Sequence, residues 1–230
     1  SLLAGITLFS CDNFEDINTN PDSVTKVSPK LLATGAIVGL MKPSQKKDFV
    51  YNQMTCKYIG WSEALEGTQY NNFGRESFSG YTSLTNYKLM AELTDKDETM
   101  NEDKRNAYKG LALFLKAYRL FEYTLNVGDI PYEGILEGKE GNLTVAYNTQ
   151  EDVFKFLLND LDKAHEYFQN ANQTTFNGDP IFGGKVEQWH RVSNALELRV
   201  LINLSKKINS TDINIKSLSL IHISEPTRPY

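Results

Sequence analysis

The chain has 230 residues, of which 40% are hydrophobic and 11% aromatic, and it carries a formal net charge of −5 at pH 7. This size predicts one large domain, or one and a half domains of ordinary size, with enough apolar residues for a substantial core. The negative charge argues against non-specific nucleic-acid binding, which requires basic patches, and the two cysteines, Cys11 and Cys56, are too few for a disulfide framework.

The chain opens with a short apolar run, residues 1–10, which has the length of a signal-peptide hydrophobic region and is too short to cross a membrane. We interpret this run as the remnant of a lipoprotein signal peptide. It ends in Leu-Phe-Ser-Cys, which resembles a bacterial lipobox, although Phe9 is larger than the residue usual there. Cleavage before Cys11 would leave a lipid-bearing cysteine as the first mature residue, followed by a polar, anchor-proximal loop over residues 11–27. The alternative is a buried apolar strand with an incidental cysteine.

Three helices are predicted before the middle of the chain. Ser28 followed by a proline is a strong signal for a helix start, and the first helix ends near Pro43. The second helix covers residues 45–66, and its Cys56 is expected to be a buried thiol. The third helix covers residues 81–93.

The segment over residues 67–80 combines aromatic rings, including Phe78, with amides between two glycines. Aromatic faces stack on the apolar C–H faces of pyranoses, and amide and guanidinium groups bind hydroxyls, so this composition fits sugar recognition. The alternative is that the rings fix the loop to the protein body; Trp61 either extends the binding platform or belongs to the core. The candidate ligand-binding residues are Trp61, Tyr70, Asn71, Asn72, Phe73 and Arg75.

The strongest helical signal begins at Asn106 and ends in a Gly-Asp-Ile-Pro-Tyr turn. Gly128 supplies the C-cap conformation, and Pro131 prevents helix beyond it. Asn101 or Thr99 is the expected N-cap. Apolar residues recur every three or four positions and therefore share one helical face. This face comprises Ala107, Leu111, Phe114, Tyr118, Phe121 and Leu125.

Two further helices follow. A loop over residues 133–148 leads to a helix that starts with a capping-box-like Thr-Gln-Glu-Asp sequence. After a loop over residues 169–184, the last helical segment places Trp189 on an apolar face, so we expect a core anchor and not a ligand platform. Asn194 and Arg199 are expected to satisfy backbone or carboxylate partners. The apolar face of the first of these helices comprises Phe154, Leu157, Leu158, Leu161, Ala164 and Phe168.

Two ordered motifs, together with the lipobox and the loop after it, resemble the SusD-like (SusD/RagB) family, the surface nutrient-binding lipoproteins of Bacteroidota. The first motif is the Gly-Asp-Ile-Pro-Tyr turn after an alanine-rich, aromatic helix. The second is similar to the family pattern D-x-x-Y-G-G-x-x-x-x-W-x-K-x-A-N-x-L-x-x-R, from which Phe182, Arg191 and Ser193 depart. We interpret the matching residues as architecture: Gly128, Asp129, Pro131, Tyr132, Gly183, Gly184, Trp189, Asn194 and Arg199.

The resemblance implies an all-α fold of tetratricopeptide-like helical hairpins with long loops, over residues 28–217 and incomplete at its C-terminal end. It also implies a lipid-anchored outer-membrane protein, facing the extracellular side, that captures oligosaccharides and delivers them to a SusC-like TonB-dependent transporter. An uptake lipoprotein for peptides or other nutrients is one alternative. A tetratricopeptide-like protein-interaction scaffold is another.

Residues 218–230 begin with LSLIHISEPTR, which matches an in-frame translation of a sequencing adaptor, and we expect this segment not to be native. His165 and His190 lie in predicted helices, outside any metal-binding motif, and the sequence shows no nucleophile elbow or phosphate-binding glycine loop. We therefore expect a binding protein and not an enzyme, with no metal and no cofactor. The enzymatic alternative is a surface glycosidase, which requires two carboxylates facing one sugar.

Overall fold

The computed structural model describes residues 27–41, 53, 56–60, 77–138, 141, 144–171 and 174–216. These ranges contain five α-helices and two isolated β-bridges but no β-strand, which confirms the predicted all-α fold. Every helix among the described residues is too short or too polar to cross a bilayer. The helices are α1 (Pro29–Met41), α2 (Tyr81–Lys96), α3 (Glu102–Val127), α4 (Gln150–Asn170) and α5 (Val186–Asn203).

The first helix, α1, starts as predicted. The Ser28 hydroxyl accepts a hydrogen bond from the amide of Leu31 at 3.4 Å, and the Ser28 carbonyl accepts one from Leu32 at 3.1 Å. Pro29, the first residue of the helix, has no amide hydrogen and therefore adds no unsatisfied donor to the first turn. Ala33 and Ile37 are fully buried, and α1 packs against α2.

Consecutive helices pack against each other from α1 to α5, which produces the predicted tetratricopeptide-like hairpins. The longest helix, α3, also contacts α1 and α5 and is therefore the centre of the assembly. Its Leu111, Phe114 and Phe121 are at most 2% exposed. Leu125, predicted on the same face, is 41% exposed, because the last turn of α3 is less covered by neighbouring helices than its middle.

Local sequence fixes both ends of α3. Asn101 is the N-cap, and its side-chain oxygen accepts a hydrogen bond from the third amide of the helix at 3.0 Å. Thr99, the other candidate, instead donates its hydroxyl to Asp97 at 2.6 Å, within the connection from α2. At the C-terminal end Gly128 has a φ of +83°, a conformation that glycine adopts without strain.

The prediction of one continuous helix over residues 45–66 is wrong in the part that the structure describes. Gln53 is helical, but residues 56–60 form a turn and a bend, in which Lys57 has a φ of +62°. A residue in this left-handed conformation cannot continue an α-helix. Cys56 lies in the turn and is exposed, which corrects the expectation of a buried thiol.

The predicted apolar face of α4 is buried throughout its length. Phe168, near the end of this face, packs closely against α3 at Gly110, where a Cβ atom would lie 2.7 Å from the aromatic ring. On α5, Trp189 is 2% exposed and packs against Phe114 and Phe182, with ring centroids 5.7 and 5.4 Å away. Trp189 is therefore the predicted core anchor.

Candidate functional site

The structure describes only the end of the predicted ligand-binding loop. Residues 1–26 and 218–230 also lie outside the described ranges. Residues 77–80 of the loop are described, and this end of the loop leads directly into α2. The predicted residues that lie outside the described ranges are Cys11, Trp61, Tyr70, Asn71, Asn72, Phe73 and Arg75.

Three aromatic rings, Phe78, Tyr81 and Tyr123, meet where this loop joins the helices, and we call them the aromatic cluster. The ring of Phe78 stacks on Tyr123, with centroids 5.5 Å apart and an interplanar angle of 17°. Tyr81 lies edge-on to Phe78 at 5.5 Å and 5.2 Å from Tyr123. Each distance is in the range of favourable aromatic pairs, so the cluster fixes the end of the loop to α3.

Hydrogen bonds fix the aromatic cluster to the backbone around it. The amide of Gly80 donates to the Tyr123 hydroxyl at 2.9 Å, and the Tyr81 hydroxyl donates to the carbonyl of Pro131 at 2.9 Å. A side chain at Gly80 would overlap the Tyr123 hydroxyl, so this close approach requires glycine. Burial, and secondarily the nearby hydroxyls of Tyr123 and Tyr147, raise the pKa of Tyr81, which therefore remains a neutral donor.

Phe78 holds the end of the loop in place and is also partly exposed. One face of its ring stacks on Tyr123 and holds the loop, while 37% of the residue stays exposed to solvent. An exposed ring with a fixed orientation can stack on a sugar without losing much conformational freedom. The cluster is therefore a pre-formed apolar platform at the C-terminal end of the predicted ligand loop.

The Gly-Asp-Ile-Pro-Tyr turn joins α3, α4 and the aromatic cluster. Asp129 accepts a hydrogen bond from the amide of Gln150 at 2.8 Å, at the first residue of α4. The Tyr132 hydroxyl donates to Asp160 at 2.6 Å, and Lys116 donates to the same carboxylate oxygen at 2.8 Å. Burial, and then the Asp160 carboxylate, raise the pKa of Tyr132. These contacts hold the turn against α3 and α4.

The second motif is organised by a residue to which the sequence analysis gave no role, Asp179. Its carboxylate accepts hydrogen bonds from the amides of Ile181 at 2.8 Å and Gly184 at 2.9 Å, and from the indole of Trp189 at 2.8 Å. The amide of Phe182 is a fourth donor, at 3.2 Å. The signal was present in the sequence, since aspartate is the first residue of the family pattern. Because the Asp179 carboxylate binds both the loop amides and the indole of Trp189, the pattern requires this spacing between its aspartate and its tryptophan.

Asn194 and Arg199 do not have the partners predicted for them. The side-chain oxygen of Asn194 lies 3.1 Å from Nδ1 of His165 on α4, so its partner is an imidazole and not a backbone group or a carboxylate. The guanidinium of Arg199 lies over the ring of Phe121, 5.6 Å from its centroid.

Two histidines from neighbouring helices, His165 and His190, lie close together. His190 Nε2 is 2.5 Å from His165 Nδ1, the nitrogen that also contacts Asn194. Among the described residues, no three potential metal ligands converge.

A groove of about 370 Å³ lies between α2 and α3. Its floor is mainly apolar, and charges of both signs line its rim, including an ion pair of Lys109 with Asp95 at 2.6 Å. Leu136 closes one end, and its carbonyl accepts a hydrogen bond from Lys88 at 2.7 Å. Such a groove can hold apolar side chains of a bound peptide. The apolar and aromatic residues that line it are Leu84, Tyr87, Ala91, Ala112, Leu113, Leu136 and Tyr167.

Comparisons with known proteins relate this architecture to one family. A family described as SusD-like, starch-binding and associating with the outer membrane matches residues 21–222. A solved SusD homologue from Bacteroides fragilis is 39% identical, with a TM-score of 0.77, and the match covers 89% of this chain and 42% of that one. A second SusD homologue from the same species is 30% identical, with a TM-score of 0.73 and coverage of 87% and 41%.

A third solved relative is an outer membrane protein from Bacteroides vulgatus whose description links it to nutrient binding. It is 27% identical, with a TM-score of 0.70, and the match covers 88% of this chain and 42% of that one. The chain thus spans 41–42% of the length of these three relatives. No curated protein sequence matches it.

Proposed function

The chain belongs to the SusD-like family, and we propose that it captures oligosaccharides at the cell surface and delivers them to a SusC-like TonB-dependent transporter. The observation that carries the proposal is the match over residues 21–222 to a family described as starch-binding and associating with the outer membrane. The aromatic cluster supports the proposal, because the cluster holds a partly exposed ring at the C-terminal end of the predicted ligand loop. The proposed mechanism is binding and transfer, without a covalent step.

The proposed contacts with sugar come from the loop itself. Tyr70, Phe73 and Trp61 would stack on pyranose faces, while the neighbouring amides and Arg75 would bind hydroxyls. The loop joins the aromatic cluster through Ser77, whose side chain accepts a hydrogen bond from the amide of Ser79 at 3.3 Å. The cluster therefore gives the loop one fixed end.

Calorimetric titration of the full chain with soluble starch, xylan, pectin, mannan and mucin glycans tests the proposal. We expect saturable binding to at least one of these, with no release of reducing ends over time. Starch has priority because the family description names it. A folded chain that binds none of the five would contradict glycan capture, and steady release of reducing ends would show a hydrolase instead.

The anchor and the transporter are also proposals. We propose that Cys11 is acylated, and because one acyl chain binds membranes weakly, a stable anchor requires at least two. In the native host, Cys11→Ser should abolish metabolic labelling by a palmitate analogue, while Cys56→Ser, at an exposed thiol, should not. Affinity purification from solubilised outer membranes should recover a TonB-dependent barrel. Unchanged labelling of Cys11→Ser, or purification without a barrel, would contradict the respective proposal.

Peptide binding is the second candidate function, and the groove between α2 and α3 favours it. Its mainly apolar floor and its rim charges of both signs suit the apolar and charged side chains of a peptide. Leu113→Asp would place a charge in the groove, away from the aromatic cluster. If the chain binds peptides there, this variant should lose peptide binding in a fluorescence anisotropy assay. Glycan binding that is equally lost in the variant would contradict a separate peptide groove.

A further inference from the structure

Tyr147 is an exposed aromatic residue on a part of the chain that is fixed in place. It is 64% exposed, although the next residue, Asn148, is tightly held. The Asn148 amide donates to the carbonyl of Ile130 at 3.0 Å, and its side-chain oxygen accepts hydrogen bonds from the amides of Tyr132 at 2.9 Å and Glu133 at 3.2 Å. The chain is therefore held at the residue next to Tyr147, while Tyr147 itself is mostly exposed to solvent.

The position of Tyr147 places it beside the aromatic cluster. The carbonyls of two consecutive residues, Ile130 and Pro131, accept hydrogen bonds from Asn148 and from the Tyr81 hydroxyl respectively. The segment that carries Tyr147 and the ring of Tyr81 are thus attached to the same short stretch of backbone. The raised pKa of Tyr81, to which the Tyr147 hydroxyl contributes, agrees with this proximity.

This part of the surface carries two exposed rings, and next to Phe78 lie the partly buried Tyr81 and the buried Tyr123. Phe78 is 37% exposed and Tyr147 is 64% exposed, while Tyr81 and Tyr123 hold the surface from beneath. The ring of Phe78 is held by its contacts with Tyr81 and Tyr123, and the backbone next to Tyr147 is held through Asn148, so a ligand that stacks here has less of the site to order. Apolar faces edged by a hydroxyl match an oligosaccharide, whose pyranose units offer C–H faces and hydroxyls in turn.

We propose that Tyr147 is a sugar-stacking residue, and that Tyr147 and Phe78 together form a glycan-binding surface that reaches from the start of α2 to the segment before α4. This inference rests on the proposed function, since it assigns a further residue to the same glycan site. The ligand it requires is an oligosaccharide of at least two pyranose units, one for each ring.

The test compares four forms of the full chain: wild type, Tyr147→Ala, Tyr147→Phe and Tyr58→Ala. Tyr58 is a matched control, because it is also a strongly exposed tyrosine, at 79%, but lies in the 56–60 turn. Affinity gel electrophoresis uses each of soluble starch, xylan, pectin, mannan and mucin glycans, and thermal unfolding verifies that every variant folds. We expect Tyr147→Ala to raise the dissociation constant of the bound glycan about fivefold, which is the effect of losing one stacking contact. Tyr147→Phe and Tyr58→Ala should stay within about twofold of wild type, because the first retains the stacking ring and the second changes a tyrosine outside the proposed surface.

The outcomes separate this inference from the function on which it rests. Wild-type binding that Tyr147→Ala leaves unchanged would overturn the role of Tyr147 and leave glycan capture in place. An equal loss in Tyr58→Ala would also overturn it, since the effect would not be specific to this surface. If wild type binds none of the glycans, the proposed function fails first and this inference with it.

Discussion

The Asp179 carboxylate explains how one residue can organise a loop and a helix together. It lies at the start of the turn before α5 and binds amides of this turn as well as the indole of Trp189. A buried carboxylate is stable only when donors replace its water shell, and here four donors do so. One of these donors, the amide of Gly184, directly follows Gly183, and the two glycines have φ of +80° and +63° respectively.

Two neighbouring glycines give a matched pair of substitutions. Gly184→Ala should destabilise the protein by about 3 kcal/mol or more, because its Cβ would overlap the carbonyl oxygen of Phe176. Gly183→Ala should cost only about 1 kcal/mol, because the left-handed conformation is strained but no atom lies within 4 Å of the new Cβ. Urea unfolding of both variants measures the difference. Equal losses would show that backbone strain, and not the close contact, makes glycine necessary at residue 184.

The buried tyrosines predict a loss of stability at alkaline pH. Burial, and then the Asp160 carboxylate, raise the pKa of Tyr132, and burial also raises that of Tyr108. In the unfolded chain these phenols ionise near pH ~10. The neutral phenol is favoured in the folded state, so its contribution is complete below pH ~10 and is lost as the pH rises towards the folded-state pKa.

Absorbance titration of tyrosinate tests this expectation. Fewer tyrosines should ionise near pH ~10 in the native chain than in urea, and Tyr132→Phe should remove one of those that ionise late. The chain has 12 tyrosines, so the native and unfolded curves should differ clearly in amplitude. Native titration of all 12 near the unfolded-state pH would contradict the burial of these phenols.

At the scale of elements, the contact between α3 and α4 depends on a residue without a side chain. Gly110 lets α4 approach closely enough for Phe168 to lie against the α3 backbone. Glycine within a helix costs roughly 1 kcal/mol relative to alanine, so its presence in α3 requires compensation from packing. Phe168 is 3% exposed, so its ring is enclosed by other residues.

Substitution of two helical glycines separates propensity from packing. Gly110→Ala should destabilise the protein by about 1–2 kcal/mol, since overpacking outweighs the gain in helix propensity. Gly35→Ala in α1 should stabilise it by about 0.5–1 kcal/mol, because no atom lies within 4 Å of the new Cβ. Thermal and urea unfolding give both values. A stabilised Gly110→Ala variant would mean that α3 and α4 do not pack as closely as described.

Helix ends could be predicted from the sequence where the signals are local. Ser28 and Asn101 cap helices through amides three residues away, and Gly128 ends α3 by its own conformational freedom. The turn at residues 56–60 could not be predicted, because lysine at position 57 gives no sign of a positive φ. The partner of Asn194 could not be predicted either, because His165 is distant in sequence and becomes a neighbour only when α4 packs on α5.

At the scale of the whole molecule, the helices bring together two segments that are distant in sequence. The end of the 67–80 loop and the segment before α4 both contact the Gly-Asp-Ile-Pro-Tyr turn, through Tyr81 and Asn148. The two family motifs predicted this arrangement of helices and loops, because most of the motif residues hold a loop against a helix. The composition of the loop predicted a sugar ligand but not the contribution of Tyr147, which depends on how the chain folds back on itself. The chain spans 41–42% of its solved relatives, so the proposed site concerns this part of a larger architecture.

We propose above that this chain binds oligosaccharide through the 67–80 loop, which directly precedes α2. The most direct measurement is affinity gel electrophoresis of wild type, the Tyr70→Ala/Phe73→Ala double variant and Tyr58→Ala, in gels with and without the glycan that wild type binds. We predict that the glycan retards wild type and Tyr58→Ala equally, and that the double variant migrates as it does without glycan. Equal retardation of all three forms would contradict the account, because the sugar would then bind elsewhere on the molecule.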